Sequence, residues 1–251
     1  GKIQMEYFGN ISSIEKKSTN IDLVTEADKK SEDYLIKQIR SKYPNHSIVS
    51  EEFGNIDNKS EYLWIIDPLD GTTNFTHNLP IFAVSLGLIK NNKESICGVV
   101  YNPAADKCFY AEHKKGAFLN SKKINVTSSN TLGDSLLATG FPYLHDKKYN
   151  LSFEIFKQFY DKTRGIRRLG AASLDLCFVA MGRFDGYYEY GLEPWDISAG
   201  SLIATEAGAN VTDWDNSELP YDGKRILASN GKIHSQMVDI LMKEKYNIFF
   251  K

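Results

Sequence analysis

One short segment of the chain is apolar on both faces and therefore predicts the centre of a sheet. Residues 62–66 (YLWII) have the composition of a β-strand. A strand of this kind is buried on both sides, so other layers must cover it. Asp67 and Asp70 follow directly, with Pro68 between them, and the proline interrupts regular strand pairing. The pattern predicts a layered fold with carboxylates at the edge of a central strand.

Hydrophobic periodicity supplies the other elements. A helix is predicted from Thr25 to Pro44, with Thr25 and Asp28 as a capping box and an apolar stripe in its second half. The remaining predicted elements are strands at 47–50, 83–89, 95–101, 107–112, 165–168, 185–190 and near Val211 and Ile226, and helices at 149–161, 172–181, 196–206 and from His234. This order predicts an α/β (α+β) fold with two layered subdomains, 1–135 and 136–251, and a cleft between them.

Charge and composition exclude several classes of protein. The 251 residues carry 30 basic and 32 acidic side chains, a formal net charge of -2, which is unsuited to nucleic-acid binding. Apolar runs are far shorter than a membrane span, and no signal peptide opens the chain. We therefore expect a soluble, cytoplasmic protein without nucleic-acid or membrane partners. Because the chain begins at Gly1 rather than Met, we also expect it to be trimmed or processed.

Three cysteines, Cys97, Cys108 and Cys177, lie far apart without a CxxC pair. Such a sparse, odd set is typical of buried free thiols in a reducing compartment. A disulfide between Cys97 and Cys108 is the rarer alternative that the sequence leaves open.

The segment after the central strand has the composition of a cation and phosphate site. Asp67 and Asp70 would repel each other at the mouth of an apolar strand, and a divalent cation removes that repulsion. Oxygen donors without nearby histidine or cysteine favour Mg²⁺, Mn²⁺ or Ca²⁺ over zinc. A helix that begins at Gly71, Thr72 and Thr73 would add free N–H groups for an anion. Together these features predict metal-assisted phosphoryl hydrolysis.

Each acidic residue also has a purely structural interpretation. Asp67 and Asp70 fit an Asp-Pro turn followed by a threonine N-cap, and Glu51 and its neighbour fit a solvated loop. An aspartate at a helix start, such as Asp28 or Asp196, is typical of a cap. The joint occurrence of all these acids favours the functional interpretation.

Two longer motifs carry a resemblance to a known family. Residues 64–75 (WIIDPLDGTTNF) resemble the first signature of the inositol monophosphatase family, and residues 195–208 (WDISAGSLIATEAG) resemble the second. Residues 22–28 (DLVTEAD) and 50–52 (SEE) match at the expected spacing, so the likeness covers nearly the whole chain.

The resemblance implies a fold, a cofactor and a set of metal ligands. The fold is a layered α-β-α-β-α sandwich shared with fructose-1,6-bisphosphatase, usually in a homodimer. The cofactor is Mg²⁺, as two or three ions with Mn²⁺ as a substitute, and lithium inhibits. The implied metal ligands are Glu51, Asp67, the main-chain carbonyl of Leu69, Asp70 and Asp196.

It also implies roles in catalysis and substrate binding. Thr72, supported by Asp28 and Glu51, orients the attacking water and accepts its proton. Main-chain N–H groups near Gly71 and Thr72 hold the phosphate. The implied contacts to the alcohol part of the substrate come from Ala172, Glu189 and Asp196. For Glu189 the alternative is a carboxylate at a strand edge. Lys17 is a further candidate near the phosphate, and a solvated lysine pair is its alternative.

The substrate expected from the resemblance is inositol 1-phosphate or a similar small polyol or sugar phosphate. Alternatives in the same site are NADP(H) 2′-phosphate and fructose 1,6-bisphosphate. A non-catalytic regulatory protein that acts through a partner is the alternative from another class. Two departures bear on these choices: the segment before Lys17 is short for the family, and residues 141–146 differ from typical members.

Overall fold

A computed structural model of the chain describes residues 1–10, 14–16 and 23–250; Lys17 and Asp22 lie outside this part. The helices are α1 (Lys2–Tyr7), α2 (Glu26–Lys42), α3 (Thr72–Thr76), α4 (Lys147–Tyr160), α5 (Ala172–Ala180), α6 (Pro194–Glu206) and α7 (His234–Leu241). The strands are β1 (Ile14–Lys16), β2 (Leu23–Thr25), β3 (Ser47–Ser50), β4 (Gly54–Ile56), β5 (Tyr62–Asp70), β6 (Ala83–Lys90), β7 (Glu94–Asn102), β8 (Lys107–Glu112), β9 (Ala117–Leu119), β10 (Lys122–Lys123), β11 (Leu136–Thr139), β12 (Gly165–Arg167), β13 (Gly186–Tyr190), β14 (Asn210–Thr212) and β15 (Arg225–Ser229). Short 3-10 helices lie at Leu132–Asp134 and Glu244–Phe250.

Two main sheets organise these strands. The first has eight strands in the order β10-β9-β8-β7-β6-β5-β3-β4, and the second has five in the order β12-β11-β13-β15-β14. The first sheet is antiparallel except where β3 runs parallel to β5. In the second sheet β11 runs parallel to both β12 and β13. The chain segments that follow these parallel strands therefore leave each sheet at a common edge, which is where α/β proteins place their sites.

Helices cover both sheets and fill the space between them. The apolar stripe of α2, Ile36 and Ile39, packs on the first sheet through Ile48 and Ile66. On its other face this sheet packs against α5 and α6. The second sheet is covered by α5 on one face and by α4 and α7 on the other. The resulting order of layers, α-β-α-β-α, is the predicted fold class.

The predicted elements agree with the structure, with differences at their ends. The central strand continues past Ile66 to Asp70, with a register shift between Asp67 and Asp70 where Pro68 interrupts pairing. The helix predicted to start at Asp196 begins at Pro194, so Asp196 is its third residue rather than its cap. Short elements such as α1, β4 and β11 lack a clear periodicity and were not predicted, whereas α3 begins where the sequence analysis placed a helix start. The subdomain division at residue 135 stays a prediction.

The three cysteines are free thiols in this structure, which agrees with the favoured interpretation. Only Cys177 is buried, whereas Cys97 and Cys108 are half-buried, so the expectation of three buried thiols is wrong for two of them. Among the described residues, no helix combines the length and the apolar character needed to cross a bilayer.

A pair of glycines brings α6 unusually close to the first sheet. Gly87 on β6 and Gly98 on β7 lie opposite each other in the antiparallel register. A Cβ at Gly98 would lie 2.9 Å from the main-chain oxygen of Ala199, and one at Gly87 would overlap the Ser198 hydroxyl. Both contacts are with α6, so the two glycines form the surface on which this helix packs. This packing fixes the position of Asp196, two residues before Ser198.

We predict that Gly98→Ala destabilises the protein, because the added methyl group forces α6 away from the sheet. The free energy of unfolding should fall by about 1–3 kcal/mol, the usual cost of overpacking. Urea denaturation followed by circular dichroism measures this loss. Gly133→Ala is the matched control, since its Cβ would meet only the Thr131 hydroxyl at 3.8 Å. Equal stability of the two variants would contradict the proposed close packing of α6 on Gly98.

Candidate active site

The parallel pairing of β3 and β5 places the first acids side by side. Ser50 pairs with Ile66 in register, and the N–H of Glu51 donates to the Ile66 carbonyl at 3.3 Å. Glu51 therefore emerges beside Asp67. The buried Glu32 of α2 accepts N–H groups from Glu52 and Phe53, both at 3.0 Å, and so holds the turn that follows Glu51.

The irregular end of β5 turns Asp67 and Asp70 toward the same space. The N–H of Leu69 donates to Asp67 Oδ1 at 2.9 Å, and the buried Gln4 amide donates to the Pro68 carbonyl at 2.7 Å. The N–H of Ser173, in the first turn of α5, donates to Asp70 Oδ2 at 2.8 Å, and the Ser173 hydroxyl donates to the same atom. Both carboxylates are thus buried and oriented by neighbouring donors.

The first turn of α6 supplies Asp196 from the second half of the chain. Glu193 and Asp196 form a capping box, in which the Glu193 N–H donates to Asp196 Oδ2 at 2.7 Å. Trp195 packs against Leu63 and Ile65 of the central strand, and this contact fixes the start of the helix against the first sheet.

Thr72 and Asp28 form a second polar group at the same place. The Thr72 hydroxyl lies 3.2 Å from Asp28 Oδ1 and 3.0 Å from the Leu69 carbonyl oxygen. Asp28 Oδ2 accepts both the N–H and the hydroxyl of Thr25 in the predicted capping box. Gly71 begins α3 with a φ of +88°, and a Cβ there would lie 2.9 Å from the Ile81 carbonyl oxygen, so only glycine fits.

The second sheet supplies the other wall of the cavity. Gly140 and Arg168 directly follow β11 and β12, and Glu189 lies near the end of β13, so all three reach the shared edge. Tyr187 donates to Glu189 Oε2 at 2.7 Å. A Cβ at Gly140 would overlap the Glu189 carboxylate, which shows how closely the two segments pack.

These segments enclose one cavity of about 550 Å³. It is lined by nine of the ten predicted site residues, namely Glu51, Asp67, Leu69, Asp70, Gly71, Thr72, Ala172, Glu189 and Asp196. The tenth, Asp28, lies behind the wall and is reached through the Thr72 hydroxyl.

Burial and mutual repulsion change the acidity of this cluster. Burial, followed by the charges of Glu51, Asp70 and Asp196, raises the pKa of Asp67 well above its ordinary value. Burial raises the pKa of Asp70 to about 6, although its bonds from Ser173 act in the opposite direction. Burial also raises the pKa of Asp196, and it raises the pKa of Glu189 to about 7. Strongly perturbed acids in one cavity are typical of functional sites.

The donor set suits a hard divalent cation. In the part of the chain that the structure describes, no three His, Cys, Asp or Glu side chains are already assembled as a metal site. The acids nevertheless line one cavity and raise one another's pKa, which is the condition that a bound cation relieves. One oxygen each of Asp67 and Asp196 is held by a main-chain N–H, an arrangement that orients metal ligands. All-oxygen donors fit Mg²⁺.

Several residues at the site escaped the sequence analysis. Arg168, Tyr143 and Asp175 have no distinctive pattern, because their partners are distant in the chain. Asp175 is almost fully buried in α5, and its Oδ1 has no hydrogen-bond partner among the described residues. The one sequence signal for Asp175 was its acidic side chain in a helix whose other side chains are buried on all sides.

The fold has two sheets covered by helices, and its cavity is lined by four carboxylates and by Thr72, whose hydroxyl contacts Asp28 at the start of a helix. These features are typical of a metal-dependent phosphatase. The chain belongs to the inositol monophosphatase family, whose model matches residues 1–245. It is therefore a phosphoric monoester hydrolase.

Similar proteins cover nearly all of the chain. The inositol-1-monophosphatase of Synechocystis is 43% identical over 237 residues, 93% of this chain and 82% of that protein. The putative Nus factor SuhB of Neisseria meningitidis serogroup B is 41% identical over 245 residues, 96% of this chain and 93% of that protein. The chloroplastic phosphatase IMPL1 of Arabidopsis thaliana is 41% identical over 233 residues, 90% of this chain, which spans only 63% of that protein.

A solved structure confirms the fold class. The inositol monophosphatase from Anabaena superimposes with a TM-score of 0.84 at 41% identity, covering 96% of this chain and 90% of that one.

We predict that Asp175→Asn stabilises the protein progressively as pH rises. Burial first, and then the charges of Glu189 and Asp70, raise the pKa of Asp175 well above its ordinary value. The folded state therefore keeps a proton that the unfolded chain releases above about pH 4, so wild-type stability falls with pH from there upward. Asparagine removes this dependence.

Urea denaturation of both proteins at a series of pH values from about 4.5 to 8 measures the effect. The difference in unfolding free energy should grow with pH, by about 1.4 kcal/mol for each pH unit below the raised pKa. A difference that stays constant, or a variant that is less stable at the upper end of this range, would refute the assignment of a neutral Asp175.

Proposed function

We propose that this protein hydrolyses inositol 1-phosphate, or a similar small polyol or sugar phosphate, in a Mg²⁺-dependent reaction. The observation that carries the proposal is the convergence of Glu51, Asp67, Asp70 and Asp196 with the Thr72–Asp28 pair in one cavity.

The proposed cation ligands are Glu51, Asp67, the carbonyl of Leu69, Asp70 and Asp196, for two or three Mg²⁺ ions, with Mn²⁺ as a substitute. When bound, Mg²⁺ lowers the pKa of a water and offsets negative charge on the phosphoryl group and the leaving oxygen. The protein contributes the fixed orientation of these oxygens through Leu69, Ser173 and Glu193. Asp67 is buried, and the charges of Glu51, Asp70 and Asp196 all raise its pKa, so it is the ligand whose charge a bound cation would relieve most directly.

Thr72 is the proposed contact to the attacking water. Its hydroxyl lies between Asp28 and the Leu69 carbonyl and can donate to either oxygen. A water that donates to Thr72 Oγ1 is thereby oriented, and its proton moves through the hydroxyl toward Asp28. Glu51, on the neighbouring strand end, supports this water. The phosphate is held by main-chain N–H groups at Gly71 and Thr72, which are free at a helix start.

The wall formed by the second sheet is suited to an uncharged, hydroxyl-rich alcohol. Apart from the proposed metal ligands, the charged side chains that line the cavity are three acidic ones, Asp146, Glu189 and Glu193, and two basic ones, Arg168 and Lys224. Lys224 is paired with Glu193 at 2.5 Å, and Arg168 acts on Glu189. Little positive charge is left for a second phosphate. This balance favours a polyol phosphate over fructose 1,6-bisphosphate and over NADP(H), both of which carry further phosphate groups.

Ala172 and Glu189 are the proposed contacts to this alcohol, together with Asp196. Ala172 begins α5 with a small side chain, and a Glu189 whose pKa is about 7 can accept or donate a hydrogen bond. The homodimer, the cytoplasmic location and lithium inhibition stay predictions.

A regulatory role is a second candidate, because one similar protein is called a putative Nus factor. That function would act through a partner protein and would not require turnover. The complete acid set favours catalysis, since a binding surface has no need of mutually repelling buried carboxylates.

A phosphate-release screen separates these candidates. Inositol 1-phosphate, fructose 1,6-bisphosphate, NADP and adenosine 3′,5′-bisphosphate are each incubated with the protein and Mg²⁺, with and without lithium. We expect the highest kcat/KM for inositol 1-phosphate and inhibition by lithium. Preference for a substrate with two or more phosphates would refute the charge argument, and no release from any compound would favour the regulatory candidate.

We predict that Asp67→Asn lowers Mg²⁺-dependent turnover by at least ~100-fold, because the amide is a weaker ligand and carries no charge. Isothermal calorimetry should show reduced Mg²⁺ affinity in the same variant. Asp57→Asn, a change of the same chemistry on the exposed surface, is the control and should leave both quantities unchanged. Full turnover by Asp67→Asn with unchanged Mg²⁺ affinity would exclude Asp67 as a ligand.

A further inference from the structure

The segment 140–146, which connects β11 to α4, is held firmly at both ends. Phe141 stacks on Phe153 of α4 with ring centroids 4.4 Å apart. Asp146 caps the same helix by accepting the Tyr149 N–H at 2.9 Å. Gly140 lies directly against the Glu189 carboxylate, which leaves no room for a side chain at this position. These contacts fix the segment on both sides of Tyr143 and Leu144.

That middle part places large side chains at the mouth of the cavity. Tyr143 and Leu144 both line the cavity, yet they are 51% and 69% exposed. Both side chains are therefore accessible to a molecule that enters the cavity. They belong to the segment that follows β11 of the second sheet, whereas Asp67 lies on β5 of the first sheet. We assign the alcohol part of the phosphate ester to their side of the cavity.

Tyr143 lines the same cavity as Glu189 and Asp196. Partial burial, and then the charges of Asp196 and Glu189, raise the pKa of Tyr143 to about 12. The phenol is therefore neutral and able to donate a hydrogen bond at neutral pH. Among the described residues this hydroxyl has no hydrogen-bond partner. The cavity thus contains an available donor at Tyr143 and a carboxylate acceptor at Glu189.

We propose that Tyr143 contacts the leaving alcohol and selects cyclic polyol phosphates over acyclic ones. The inference rests on the proposed function. A cyclic polyol has an apolar face of C–H groups and a rim of hydroxyls. Tyrosine has the complementary parts, an apolar ring and a polar tip. The ring of Tyr143 covers the C–H face, while its hydroxyl donates to a hydroxyl of the same alcohol and Glu189 accepts from another.

An acyclic alcohol lacks a flat face of this size. Glycerol 2-phosphate fills the phosphate and metal side of the cavity, but it leaves the ring of Tyr143 without a partner. The contact is therefore specific to the cyclic substrate and distinct from the groups that act on the phosphate.

The test compares Tyr143→Ala and Tyr143→Phe with the wild type on inositol 1-phosphate and glycerol 2-phosphate at saturating Mg²⁺. Tyr143→Ala should lower kcat/KM for inositol 1-phosphate by roughly tenfold, mainly through KM, as expected for one lost aromatic contact. Its effect on glycerol 2-phosphate should be less than about twofold, because no aromatic contact is lost there. Tyr143→Phe keeps the ring and should fall between the wild type and the alanine variant.

Tyr34→Ala is the matched control, because Tyr34 is 54% exposed and lies on α2, outside the cavity lining. Thermal unfolding of all variants checks the fold. Equal losses on both substrates, or unchanged kinetics on both, would overturn the role of Tyr143 alone. A wild-type protein that releases phosphate from neither substrate would instead overturn the proposed function, and this inference with it.

Discussion

Electrostatic repulsion between carboxylates is the interaction that the surrounding structure has to oppose. Asp67 is buried, and Glu51, Asp70 and Asp196 all act to raise its pKa. Such a cluster would disperse on a flexible chain, because like charges at short range in a medium of low dielectric constant disfavour one another. Here main-chain donors at Leu69, Ser173 and Glu193 hold the acids in place.

Both sheets help to hold the acids together, and they do so through the helices that pack between them. α6 carries Asp196, and the paired glycines Gly87 and Gly98 let it lie directly on the first sheet. α5 packs against α6, and its first turn donates to Asp70. The Asn74 amide of α3 donates to the Ile81 and Leu169 carbonyls, both at 2.8 Å. The bond to Leu169 connects α3, where we propose that the phosphate binds, to the second half of the chain. The proposed metal ligands and the proposed substrate wall are thus parts of one packed unit.

The two walls of the cavity differ in chemistry, which separates reaction from recognition. The Asp67 cluster and Thr72 occupy one wall, where charge must be concentrated for phosphoryl transfer. The other wall has nearly balanced charges, an uncharged phenol at Tyr143 and the small Ala172. If the proposed roles hold, the acidic wall carries the reaction and the 140–146 segment sets which alcohol is accepted.

Local sequence determined the elements and the identity of the acids. The apolar strand 62–66, the capping box at Thr25 and Asp28, and the helical stripe of Ile36 and Ile39 all appear in the structure as predicted. These features depend on residues close in the chain, so periodicity and capping reveal them.

Tertiary structure decided which strands pair in parallel, and with that which acids, donors and aromatic groups meet. Ser173 donates to Asp70 across 103 positions of the chain, and Tyr143 and Asp196 line the same cavity. Contacts of that separation arise from packing of whole layers, and no local pattern encodes them.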